Sequence, residues 1–107
     1  YLVVAESNAM GKPNNDELRR MGVRLRDFNT TNLSKAAAIE SLAAAFDHRE
    51  IGIYDHRELI EELQAYEGSR LDSGAMRYGA PDGMHDDMVM SLALAWQACG
   101  SQSMWGA

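Results

Sequence analysis

The apolar positions follow two periods along the chain, and each stretch predicts an element. Residues 1–5, YLVVA, are a short unbroken apolar run, the pattern of a buried strand, and the run stops at Glu6. Residues 6–15, ESNAMGKPNN, read as loop. Asn14 with Glu17 three places on is a cap-like pair that opens a short helix, and Gly22 closes it. VRLRDF alternates Val23 and Leu25 against Arg24 and Arg26, which predicts a strand with one wet face. SKAAAIESLAAAFD is the clearest helix, with Ile39, Leu42, Ala43 and Phe46 on one stripe.

EIGIYD predicts the next strand. DHRELIEELQAYE follows as a helix capped at Asp55, with Glu58 at box spacing and Leu59, Leu63 and Tyr66 as its buried stripe. GSRLDSG reads as loop. AMRYGAPDG reads as a short strand running into a turn at Pro81, Asp82 and Gly83. The last helix is expected from near Met84 to near Gly100, with Val89, Leu92, Ala93 and Trp96 on its stripe. Residues 101–107, SQSMWGA, carry no pattern and are expected to fray beyond an ordered core of about 1–100. Strands and helices thus alternate throughout, which predicts an α/β layer with helices packed on a sheet.

Length changes this picture in one way: 107 residues allow one domain. The chain opens directly on a strand, which implies that it is cut from something longer. No apolar run approaches the ~20 residues of a membrane span. The net charge of −6 argues against passive coating of nucleic acid, which basic surfaces do. It does not argue against carboxylates that hold divalent metals, because the metal reverses the local sign. The lone Cys99 excludes an internal disulfide and reads as packing.

The candidate chemistry lies in acids at the ends of elements. Glu6 stands where a strand runs out, at the rim where α/β sheets bind ligands. His85, Asp86 and Asp87 directly precede an apolar helix. Carboxylates from two elements can hold Mg²⁺ or Mn²⁺ between them. A pair of such ions about 4 Å apart can clamp the attacking and leaving oxygens of a phosphodiester. The plainer reading is that one aspartate caps the helix, for about 0.5–2 kcal/mol, that Glu6 is solvated and that His85 is a loop residue. A cap accounts for one acid, not for two beside a histidine. By helix phase Asp86 shares a stripe with Val89 and Ala93, while Asp87 lies about 100° around, nearer Met90 and Leu94. Lys12, Arg19, Arg20, Arg24 and Arg26 form a basic cluster, read as a solvated face or as a contact for a phosphate backbone. His48 and His56 read as structural. NAMGKPNN lacks the glycine–lysine–hydroxyl spacing of a phosphate loop.

Taken in order, VVAESNAMG, TTNLSKAAAIESLAAAF, IGIYDHRELIEELQAYE and MRYGAPDGMHDDMVMSLALA resemble the C-terminal part of the nuclease domain of the large terminase subunit of tailed bacteriophages. The resemblance runs from about Leu2 to Ala98. It implies a ribonuclease H-like fold, here truncated at its N-terminal strands, and a metal-dependent endonuclease that cuts concatemeric DNA with metal-activated water. By motif, Glu6 matches the family's second acid, Asp86 or Asp87 the third, and His85 the histidine before that pair. The aspartate of the first strand has no counterpart, so a two-metal Mg²⁺ or Mn²⁺ site is expected only in the complete domain.

The resemblance also implies partners: double-stranded DNA, the terminase ATPase domain, the portal and the small terminase subunit. It implies the host cell cytoplasm and no membrane. Self-association of the isolated piece through the edge of its first strand is a further expectation. Two other readings stay open from the residues alone. One is a resolvase- or transposase-like nuclease. The other is a non-catalytic interaction module or inactive fragment, in which the acids are caps.

Overall fold

The computed structural model describes residues 2–8, 11–81, 83 and 85–106, and for residues 69, 70 and 100–106 it describes the backbone without the side chains. Tyr1, Asp82 and Met84, the expected strand start, turn residue and helix start, lie outside the described residues. The elements are β1 (Val3–Glu6), α1 (Gly11–Arg20), β2 (Leu25–Phe28), α2 (Asn32–Asp47), α3 (Arg57–Ala65), β3 (Glu67–Arg70), β4 (Met76–Gly79) and α4 (Asp87–Gly106). The architecture is α/β.

β1 and β2 pair in parallel, with Val3 opposite Leu25 and Glu6 opposite Phe28. Parallel neighbours need a crossover, and α1 supplies it. β3 and β4 form a separate antiparallel hairpin, with Gly68 opposite Tyr78. Its turn is closed by Gly74 N–H donating to the Leu71 carbonyl at 2.9 Å, with Gly74 at φ +90°, where a side chain would be strained.

The core lies between α2 and α4. Ala38, Ile39 and Leu42 cluster with Val89, Met90 and Ala93, and Ala38 and Ala93 are both at 0% exposure. Phe28, Phe46, Leu63, Tyr66, Tyr78 and Trp96 pack around that cluster. The expected stripes hold at Ile39, Leu42, Val89 and Ala93. Ala43, expected inside, is exposed, and Ala38 and Ala45 are buried instead. α4 buries a second row, Met90, Leu94 and Ala98, so its apolar face is wider than one stripe. Its helical backbone also runs past Gly100 to Gly106.

Four expectations are corrected. Residues 51–56 form no regular element and pair with no strand. Ile51 meets its burial requirement by packing on the core cluster, which needs no strand ladder. The strand missing there appears after α3, as β3. Its sequence EGSR has no apolar alternation, so only its pairing defines it. α1 starts at Gly11 rather than Asn14, with Pro13 inside the first turn, where its missing N–H goes unused. α3 is capped by His56, whose Nδ1 accepts from Leu59 N–H at 3.2 Å, and not by Asp55. Among the described residues no helix is long and apolar enough to cross a membrane.

Ala38 and Ala93 are fully shielded from solvent in the α2–α4 cluster. Ala93→Leu should cost about 1–3 kcal/mol by overpacking, read as a lowered midpoint in chemical denaturation.

Candidate metal centre

Glu6 is held by the loop that follows it. Ser7 N–H donates to the Phe28 carbonyl at 3.0 Å, extending the β1–β2 ladder one step beyond Glu6. Asn8 then mimics a strand partner: its amide nitrogen donates to the Thr30 carbonyl and its amide oxygen accepts from Thr30 N–H, each at 2.7 Å. Gly11 starts α1 so close to β1 that an added Cβ would fall on the Glu6 carbonyl oxygen. From α1, Asn15 is the one buried polar residue among those described, at 3% exposure. Its amide donates to the Glu6 carbonyl at 3.2 Å and to Asp27 Oδ1 at 2.9 Å. A buried amide must be paired, and here the pairing ties α1 to the ends of both strands.

The Asn15 amide, with Arg19 beside it, holds the Asp27 carboxyl below the usual carboxylate range. Lys12 does the same for Asp16. The basic cluster expected on this face is therefore largely paired internally: Lys12 and Arg19 with Asp16 and Asp27, and Arg20 with Glu17.

At the other side of the site, the first turn of α4 is capped from outside its own sequence. Glu62 on α3 accepts from Met88 N–H at 3.0 Å and from Val89 N–H at 3.2 Å through one oxygen. Asp86 contributes its backbone carbonyl to Met90 N–H. Its carboxylate points elsewhere: Oδ2 accepts from the Lys35 ammonium at 3.0 Å and from the Tyr66 hydroxyl at 3.3 Å. Lys35 is presented by the first turn of α2, which is fixed by a box in which Thr31 and Ser34 bond reciprocally. Burial, reinforced by the neighbouring Asp86, raises the Tyr66 phenol above its ordinary value and keeps it a donor.

Glu6, Asp86 and Asp87 line one cleft of about 770 Å³ between β1 and α4, with Lys35 and Thr30 on its wall and Met90 and Leu94 on its floor. Residues 80 positions apart in the chain are thereby brought to a common space. Cys99, expected to pack inside, is exposed and lines the same cleft. His85 is exposed and is not among the lining residues.

The donor chemistry suits a hard divalent cation, since carboxylates from two elements face one space. Asp86 already holds a cation there, the ammonium of Lys35. Among the described residues, however, no three histidine, cysteine, aspartate or glutamate side chains close into a set able to hold an ion alone. Lys35, Tyr66, Glu62 and Asn15 escape a reading of the sequence, because nothing local to any of them signals its distant partner.

Two outcomes follow. Glu62→Ala should cost about 1 kcal/mol, the scale of a lost helix cap, while Glu62→Gln keeps an acceptor oxygen and most of the stability in thermal melts. Asp16 and Asp27 bind fewer protons folded than unfolded. Their contribution is full above about pH 4, the unfolded value, and is lost as pH falls through the lowered folded values. Asp27→Asn should make the acid-induced loss of melting temperature shallower.

No family model matches the chain. The large terminase subunit of Thermus phage G20c is 30% identical over 95 residues, which are 88% of this chain and 20% of that protein. The same identity and coverage hold for the large terminase subunit of Thermus virus P23-45. The crystal structure of the large terminase nuclease from phage G20c with bound magnesium superposes with a TM-score of 0.79 at 28% identity, over 90% of this chain and 51% of that one. Its cobalt-bound form gives the same TM-score. The large terminase nuclease domain of Thermus phage P74-26 gives 0.67, over 76% of this chain and 43% of that one. The chain thus spans about a fifth of the relatives' length and about half of the solved nuclease chains. In sequence and in fold alike, the chain is similar over most of its length to part of the nuclease domain of phage large terminase subunits.

Proposed function

We propose that the chain is part of the metal-dependent DNA endonuclease of a viral DNA-packaging terminase, with a ribonuclease H-like fold truncated at its N-terminal strands. The observation that carries this reading is the meeting of Glu6 with Asp86 and Asp87 in one cleft. Likeness to nucleases solved with magnesium and with cobalt supports it.

In this reading Glu6 and Asp86 or Asp87 are the ligands of a divalent cation, Mg²⁺ or Mn²⁺. Once bound, the cation supplies a water of lowered pKa and offsets the charge gathering on a phosphodiester. Asn15 and Gly11 set the height of Glu6 at the cleft. Glu62 leaves the Asp86 carboxylate free to turn inward. His85, exposed beside Asp86, supports the scissile phosphate from outside the ligand set. The substrate is double-stranded DNA, and the working protein joins this domain to an ATPase motor that meets the portal and the small subunit in the host cytoplasm.

A second reading has its own observation. The described residues give no set of three ligands, which favours an inactive fragment or a non-catalytic interaction module whose acids are caps, with the missing acid supplied by the complete domain. The isolated chain would self-associate along the edge of β1 that β2 does not cover, where Val3 is exposed.

In the intact protein, Glu6→Gln and Asp86→Asn should each lower Mg²⁺-dependent plasmid cleavage by about 10²-fold or more, the scale of removing one preorganised charged group. Unchanged cleavage would sink the assignment. In the isolated chain, Mn²⁺ should broaden the amide signals of Glu6 and of residues 85–87 together. Separate responses would mean that this piece does not assemble the site.

A further inference from the structure

We infer that the Lys35 ammonium is an exchangeable occupant of the cation position at Asp86: it holds the carboxylate in the cleft when no metal is bound, and the divalent ion displaces it. This rests on the reading of the cleft as a metal site and adds a residue to it.

The geometry is specific. Lys35 Nζ and the Asp86 carboxylate meet at 3.0 Å, and both side chains are about three-quarters buried, at 24% and 26% exposure. A carboxylate so withdrawn from water needs a partner. Tyr66 gives the same oxygen a second donor, and its ring lies 6.0 Å below the ammonium. Lys35 is the one basic side chain among the described residues lining this cleft, against the acids Glu6, Asp86 and Asp87.

Two cations cannot share one carboxylate oxygen cheaply, since like charges at contact distance repel strongly in a partly desolvated space. The divalent ion bears twice the charge and engages Glu6 as well. The ammonium therefore yields, and its flexible stem lets it turn without moving α2. A lysine there keeps the acids from repelling one another in the metal-free protein. It also weakens metal binding by the work of its own displacement.

The test uses the intact protein and Mn²⁺, with free ion read by electron paramagnetic resonance. Lys35→Met keeps the stem and removes the charge, and it should bind Mn²⁺ on the order of tenfold more tightly, the scale of one neighbouring charge. A purely structural role predicts the opposite sign, so equal or weaker binding overturns the inference. Lys35→Arg keeps a cation and should stay near the parent. Asp86→Asn separates the two levels. If it leaves Mn²⁺ affinity unchanged, Asp86 is not a ligand and the exchange fails with it; if Glu6→Gln leaves the affinity unchanged as well, the metal reading itself fails. If it weakens binding while Lys35→Met does not tighten it, only the exchange fails.

A second measurement needs no variant at position 35. Acylation of Lys35 by acetic anhydride, followed by mass spectrometry, should speed up several-fold when saturating Mg²⁺ releases its flexible stem from the part-buried pair. It should not respond in Asp86→Asn. A rate unchanged by Mg²⁺ in the parent protein overturns the proposal.

Discussion

The amides that open α4 need an acceptor, and Glu62 provides it from α3. The rest of the site depends on this bond. An aspartate in front of a helix ordinarily spends its carboxylate on those amides. With the amides already satisfied, Asp86 turns its carboxylate to Lys35 and Tyr66 and so lines the cleft. Whether Asp86 caps its own helix or faces the cleft is thus decided on another helix. α3 shapes the cleft although it contributes no residue to its lining.

The opposite wall is built on the same logic, with backbone in place of side chain. Glu6 ends a strand of four residues, which alone would hold nothing in place. Asn8 prolongs the pairing through its amide, and Asn15 fastens the carbonyl of Glu6 itself. Gly11 lets α1 come down onto that carbonyl. Within what reads as a polar loop, ESNAMGKPNN, Asn8, Gly11 and Asn15 thus each hold the end of β1 in place.

Much of this was legible in the sequence. The alanine-rich α2 and the stripe of Val89 and Ala93 follow from periodicity, because burial selects those positions; the apolar run before Glu6 does form a strand, but it is only half-buried and Val3 is exposed. β3 was not legible, since EGSR is held by its partner strand and carries no pattern of its own. Residues 51–56 misled for the converse reason: alternation shows that one side is buried, not that a neighbour bonds to the backbone. The acids Glu6, Asp86 and Asp87 were readable as element-end carboxylates. Lys35 and Tyr66 were not, since each looked like an ordinary helix residue until the fold set it beside Asp86. Local spacing carries no information about a partner 51 positions away.

The close seating of α2 on α4 has a dynamic consequence. Ala38 and Ala93 are fully buried in one cluster, so the two helices lack the slack that sliding requires. Lys35 rides on one and Asp86 on the other. Their spacing is therefore set by the frame of the molecule, and any change between them is a matter of side-chain rotamers. Such motions run in picoseconds to nanoseconds for mobile side chains, against microseconds or longer for helix shifts. An exchange of ions at Asp86 would leave the backbone where it stood, and two crystal forms, with and without metal, would differ at the tip of one lysine.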